Sequence, residues 1–139
     1  MPLNRARHCY RRPVPDQPLV IALCPDLMMR SRIESGLDIA GYRLRVVGGP
    51  TRLAQALADE TPACLLIDLE AGDDAIALIR HLRTDDATHG IPLAAFAGHT
   101  REDLFDAARE AGADPVVARG QAAMSTGKVV TSAIAAHTA

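Results

Sequence analysis

The most reactive side chains of this sequence stand directly behind its apolar segments. Asp68 ends one such segment. Cys24, Pro25 and Asp26 stand behind another, and Arg119 follows a third. Metal-assisted chemistry with Mg²⁺ needs hard oxygen ligands, usually from carboxylates. Cys24 offers a soft sulfur and Pro25 no side-chain oxygen, so the pattern predicts a cleft too poor in acids for metal-assisted chemistry.

Strand-like and helix-like segments alternate from Leu19 onward. Residues 19–24 and 63–67 are continuous apolar runs, typical of strands covered on both faces, whereas residues 42–47 alternate and favour an edge strand. The other predicted elements are strands at 91–97 and 116–118 and helices at 26–40, 51–59, 74–83, 100–111 and 122–136. Five β-α units predict one α/β domain, a parallel sheet with helices on both faces. Chemistry in that architecture lies at the carboxyl ends of the strands.

Small residues mark the ends of several predicted helices. Gly41 and Gly112 are expected to stop two helices, since glycine readily adopts the left-handed cap geometry. Thr51 and Thr100 are expected to act as N-caps.

Charge divides the chain into a predicted disordered Arg/Pro-rich tail at 1–18 and a domain at 19–139. The tail carries four arginines against Asp16, so the rest is more acidic than the net charge of −2 suggests. An acidic body argues against nucleic-acid binding. No apolar run reaches the roughly 18 residues of a membrane span, and no secretory signal begins the chain, which favours a cytoplasmic protein without membrane contact.

Other chemistries find little support in the sequence. The three cysteines show no CxxC spacing, and no serine has a His and acid partner at a recognisable spacing. Neither a Walker A loop nor a GxGxxG turn is present, so the chain is predicted not to be an enzyme. Cys24 has two interpretations, a reactive thiol beside Arg119 or a small buried hydrophobe, and the second is favoured.

The sequence resembles the receiver domain of two-component response regulators over about residues 19–137. The residues that carry the resemblance are Asp68 ending a strand, Ile91-Pro92 opening the next, Ala111 to Asp114 before the last, Arg30, and the pair Gly41-Tyr42. The resemblance implies a flavodoxin-like, doubly wound five-stranded parallel sheet of order 2-1-3-4-5 in a three-layer α/β/α arrangement.

The resemblance also assigns roles to the strand-end residues. Asp68 stands at the phospho-acceptor position, and Cys24 and Pro25 stand where receivers carry the acids that hold Mg²⁺. Ala97 replaces the Thr or Ser that contacts the phosphoryl group. Arg119 replaces the family's lysine, and Val116 replaces its switch aromatic. Asp26 could serve as an acid only with a register slip of one residue. We therefore expect no cofactor, poor Mg²⁺ binding, and an ion pair between Asp68 and Arg119.

Three functional hypotheses follow. The first is a stand-alone pseudo-receiver that contacts a signalling protein partner in a phosphorelay without being phosphorylated. A homodimer could form through the alanine-rich faces of 104–111 and 122–136, although the same alanines suit close packing on the sheet. The alternatives are an unorthodox phospho-acceptor that uses Asp68 and a small-ligand or nucleotide-binding module. No output domain is expected, since the chain stops soon after the last helix.

Overall fold

Five strands and six helices alternate along residues 17–72 and 74–138, the part of the chain that this computed structural model describes. In chain order they are β1 (Leu19–Leu23), α1 (Leu27–Ala40), β2 (Arg43–Val47), α2 (Pro50–Asp59), β3 (Cys64–Asp68), α3 (Ala75–Thr84), β4 (Leu93–Ala97), α4 (Glu102–Ala111), β5 (Val116–Ala118), α5 (Arg119–Met124) and α6 (Thr126–Thr138). Most of the predicted tail at 1–18 lies outside the described residues.

The strands form one parallel sheet in the order β2-β1-β3-β4-β5, which confirms the predicted topology. The two continuous apolar runs are the adjacent central strands β1 and β3, and the alternating run is the edge strand β2. In register, Leu23 pairs with Ile67 and Asp68 with Phe96. The carboxyl ends of β1, β3 and β4 therefore meet at one edge of the sheet.

The core has two layers, one on each face of the sheet. Ile21 and Leu23 point to the layer covered by α2, α3 and α4, while Val20 and Ala22 point to the layer covered by α1, α5 and α6. This is the predicted three-layer arrangement. Buried alanines on α4, α5 and α6 complete these layers, which supports the packing interpretation; they are Ala108, Ala111, Ala122 and Ala133.

Helix ends follow the glycine predictions but not the threonine ones. Gly41 and Gly112 end α1 and α4 with φ of 88° and 120°, as predicted. The prediction of Thr51 as N-cap is wrong, because Pro50, whose ring presets a helical φ, already begins α2. Thr100 is not a cap either, since α4 begins at Glu102 with Arg101 before it and no side-chain cap bond.

The predicted single helix at 122–136 is instead two helices. The backbone of Ser125 leaves helical geometry, and its N–H bonds back to Gln121 to end α5. The turn brings the start of α6 close to α1, where a Cβ on Gly127 would lie 2.7 Å from Cβ of Ala40. Close packing on α1 thus overrides the helical spacing of the sequence. Within the described residues, no helix has the length and apolarity that a bilayer span requires.

Candidate functional site

Asp68 lies at the centre of the strand-end cleft, where neighbouring strands place the predicted site residues together. Asp68 is only 2% exposed. The adjacent end of β1 brings Sγ of Cys24 to 4.0 Å from Oδ2 of Asp68. The start of α5 brings Arg119 to the same carboxylate. The sequence therefore placed Cys24, Asp68 and Arg119 in one cleft, and the structure brings them into contact.

Arg119 holds both carboxylate oxygens of Asp68. Nη2 donates to Oδ1 at 2.8 Å and Nη1 to Oδ2 at 3.3 Å, a bidentate pair. The N–H of Glu70 donates to Oδ1 at 3.0 Å. The guanidinium also lies 5.2 Å from the ring centre of Phe96, a cation–π contact that the sequence did not indicate. The expected ion pair is present, and neither oxygen of the carboxylate is left without a donor.

Glu70 is the site residue to whose side chain the sequence reasoning gave no role. Its Oε1 accepts from Arg119 Nη2 at 2.9 Å and from the N–H of Gly98 at 2.8 Å. Its Oε2 lies 3.7 Å from Nη1 of Arg101. A usable signal existed, since Glu70 and Gly98 follow the adjacent strands β3 and β4, whose carboxyl ends meet.

These contacts shift the titration of several groups. The hydrogen bond from Arg119, and then that from the Gly98 N–H, hold the pKa of Glu70 below its usual range. Burial alone would lower the pKa of Arg119, but its bonds to Asp68 and Glu70 raise it overall. Burial raises the pKa of the Cys24 thiol. The structure therefore disfavours a reactive thiolate at Cys24 and favours a charged carboxylate–guanidinium cluster.

The residues behind β1 do not form a magnesium site. Pro25 is exposed and has no side-chain oxygen to offer. Asp26 is the N-cap of α1, where its Oδ1 accepts from the N–H groups of Met28 and Met29 at 2.9 and 3.3 Å. Releasing that cap would cost about 1 kcal/mol. The carbonyl of Cys24 accepts from Arg30 at 2.6 Å.

The donor set of the cleft as a whole does not match the ligands that Mg²⁺ prefers. Mg²⁺ needs several hard oxygens in octahedral geometry, whereas both carboxylates of the cleft, those of Asp68 and Glu70, are already held by the guanidinium of Arg119. Within residues 17–72 and 74–138, no three His, Cys, Asp or Glu side chains are grouped as metal ligands. The family's metal therefore does not fit these residues.

Two further predicted positions are filled by apolar side chains. Ala97 and Val116 both belong to the core layer under α2, α3 and α4. Ala97 is fully buried and brings a methyl group where a hydroxyl would contact a phosphoryl group. Val116 is also buried and brings no aromatic ring.

An open depression of about 530 Å³ adjoins the cleft. Its lining includes Met28, Gly98 and Arg119. Large apolar side chains stand exposed on the two helices that border it: Leu27 and Met28 are each 74% exposed, and Met124 is 84% exposed. Apolar groups gathered beside a cleft are typical of interaction surfaces.

Comparisons with known proteins identify the architecture. Neither a family model nor a curated protein matches the sequence. Among solved structures, the signal receiver domain of a histidine kinase from Syntrophus aciditrophicus is 16% identical with a TM-score of 0.75, covering 86% of this chain and 91% of its own. A response regulator from Thermotoga maritima is 17% identical with a TM-score of 0.70, covering 84% and 99%.

A third structure carries the metal that this cleft does not fit. The receiver domain of a sensor histidine kinase from Pseudomonas aeruginosa PAO1 is 15% identical with a TM-score of 0.74, covering 86% of this chain and 98% of its own. It holds a magnesium ion in its active-site cleft. Structural similarity at such low sequence identity shows the fold alone. The chain has the fold of a response-regulator receiver domain.

Proposed function

We propose that this chain is a receiver-like signalling domain of a two-component or phosphorelay pathway that acts as a phosphorylation-independent protein-interaction module. The observation that carries the proposal is the closed state of the Asp68 carboxylate. It is buried, and hydrogen bonds from Arg119 and from the Glu70 N–H engage both of its oxygens.

Phosphoryl transfer to Asp68 would face two obstacles in this cleft. The transfer gathers negative charge that a divalent cation must offset, and Cys24 and Pro25 supply no ligand for one. The one cation at the carboxylate, Arg119, is already shared between Asp68 and Glu70. An Asp68 carboxylate that is already held by Arg119 supports a domain whose signal does not depend on phosphorylation.

The interaction part of the proposal is supported by the exposed apolar side chains beside the cleft. Leu27, Met28 and Met124 expose surface that a folded protein ordinarily covers when it has a partner. They lie on α1 and α5, the helices that border the depression beside the cleft, and Met28 lines that depression itself.

Beryllofluoride or acetyl phosphate with Mg²⁺ tests phosphorylation independence. We expect no change in the amide spectrum or in the intact mass of the wild-type chain. A mass gain of one phosphoryl group that disappears in Asp68→Asn would refute the proposal and establish Asp68 as an unorthodox phospho-acceptor. A receiver that retains both acids and the lysine serves as the positive control.

A variant with the usual receiver residues tests whether the degenerate positions are the cause of the expected lack of response to Mg²⁺ and beryllofluoride. Replacing four of the degenerate positions together, Cys24→Asp, Pro25→Asp, Ala97→Thr and Arg119→Lys, should yield a chain that Mg²⁺ stabilises and beryllofluoride shifts. The wild-type chain measured beside it should show neither effect. Equal responses of the two chains would show that these positions do not control the chemistry.

The interaction surface is tested by capture from extracts of the host. The double variant Leu27→Glu and Met124→Glu should lose a protein that the wild type retains. Ile39→Glu is the matched control, because Ile39 is 87% exposed but stands at the other end of α1. Asp68→Asn should capture as the wild type does. Loss with Ile39→Glu, or retention with the double variant, would contradict the assignment.

A further inference from the structure

We infer that the strand-end cleft is an oxyanion site that the chain fills with the carboxylate of its own residue Glu70. The inference rests on the proposed function, since it explains how the domain holds one fixed arrangement without phosphorylation. It assigns Glu70 the role of a tethered anionic ligand rather than of an ordinary surface acid.

The donors around Glu70 form the kind of set that binds a free oxyanion. Oε1 receives the N–H of Gly98 at 2.8 Å and Nη2 of Arg119 at 2.9 Å. Oε2 faces Nη1 of Arg101 at 3.7 Å. One backbone N–H and two guanidinium groups, from the segment between β4 and α4 and from the start of α5, converge on a single carboxylate. Such charge-assisted donors are the strong ones for anions.

The position of the carboxylate matters as much as its donors. Nη2 of Arg119 donates both to Oδ1 of Asp68 at 2.8 Å and to Oε1 of Glu70, so the two acids meet at one nitrogen. Gly98 directly follows Ala97, which stands where receivers carry the hydroxyl that contacts a phosphoryl group. The Glu70 carboxylate therefore occupies the neighbourhood that a phosphoryl group on Asp68 would need.

The bonds of the Glu70 carboxylate join three segments of the chain. Glu70 lies behind β3, Gly98 and Arg101 lie between β4 and α4, and Arg119 begins α5. One carboxylate joins these segments without any external ligand. Because Glu70 is part of the chain, its effective concentration at the donors is high and constant, so the arrangement does not depend on a signal.

Removal of the side chain and replacement by a free carboxylate test the inference. In Glu70→Ala, we expect the Gly98 amide resonance to move and its hydrogen exchange to quicken. Acetate should return the resonance towards its wild-type position in a saturable way, whereas chloride at equal ionic strength should not. The wild-type chain should not respond to acetate. Asp59→Ala, which removes an acid paired with Arg45, is the matched control and should leave Gly98 unchanged.

A second variant covers the case in which Glu70→Ala does not fold. Glu70→Gln keeps the shape and one acceptor oxygen, so the Gly98 resonance should move less and should ignore acetate. An unchanged Gly98 amide in either variant, or equal effects of acetate and chloride on Glu70→Ala, would overturn the inference. Phosphorylation of wild-type Asp68 would refute the proposed function instead, so the two failures are distinguishable.

Discussion

Replacing Arg119 by methionine is expected to destabilise the domain by about 2–3 kcal/mol. Breaking a buried ion pair by removing one partner costs about 3–5 kcal/mol, whereas exposed pairs contribute about 0–1 kcal/mol. The side chain of Asp68 is 3% exposed and that of Arg119 is 29% exposed, so the pair lies between these limits and nearer the buried one. After the substitution, the Asp68 carboxylate would keep the Glu70 N–H at 3.0 Å and the weak Cys24 thiol donor at 4.0 Å, with no cation of the described residues beside it to replace Arg119.

Urea unfolding followed by far-ultraviolet circular dichroism measures this loss, because the chain has no tryptophan. For a chain of this length, 1 kcal/mol corresponds to about 3 °C in Tm, so Arg119→Met should melt about 6–9 °C lower. Arg101→Met is the matched control. Arg101 is exposed and pairs with Asp103 and Glu70, and its loss should cost much less than that of Arg119.

A double-mutant cycle separates the ion pair from the general loss of packing. Asp68→Asn removes the buried charge, so Asp68→Asn combined with Arg119→Met should recover most of the stability that Arg119→Met alone loses. We expect a coupling of about 1–3 kcal/mol. Additivity within about 0.5 kcal/mol, or an Arg119→Met loss no larger than that of Arg101→Met, would refute the argument that Arg119 neutralises Asp68.

Three further predictions concern individual residues. Asp26→Ala should lose about 1 kcal/mol in urea unfolding, and Asp26→Ser much less, because Asp26 caps α1. Gly41→Ala should lose about 1 kcal/mol in the same assay, because φ at Gly41 is 88° and a Cβ is strained there. The lowered pKa of Glu70 means that its ionised form stabilises the fold fully above the ordinary pKa of glutamate and that this stability is lost as the pH falls through the lowered value. Unfolding curves at stepwise lower pH should therefore show Glu70→Gln losing less stability than the wild type across that window, and parallel losses would contradict the role of Arg119 and Gly98.

The fold could be predicted because its determinants are local and repetitive. The runs at 19–24 and 63–67 are apolar throughout, a pattern that central parallel strands require. Gly41 and Gly112 end helices through backbone geometry that few other residues adopt. The placement of Asp68 and Arg119 at one sheet edge then followed from the topology alone.

What could not be predicted depends on the directions of loop side chains and on packing between distant segments. Asp26 could serve a cation or a helix, and the sequence does not reveal that its carboxylate turns to the N–H groups of α1. The break at Ser125 depends on how closely α6 approaches α1. Strand order indicates that Glu70 and Gly98 lie near each other, but it does not reveal that the Glu70 carboxylate turns to the Gly98 N–H and to Arg119.

The departures from the receiver pattern make physical sense together rather than one by one. A buried aspartate without a cation must be neutralised from within, and the arginine fork at position 119 does so with two parallel bonds where a lysine would offer a point charge. Cys24 and Pro25 carry no carboxylate, so they add no further negative charge beside Asp68. Glu70 then supplies the one extra anion that the remaining donors, the Gly98 N–H and Arg101, can hold. Under the proposed function, the bonds of Arg119 to Asp68 and Glu70 would hold the cleft in one arrangement without Mg²⁺ or phosphate.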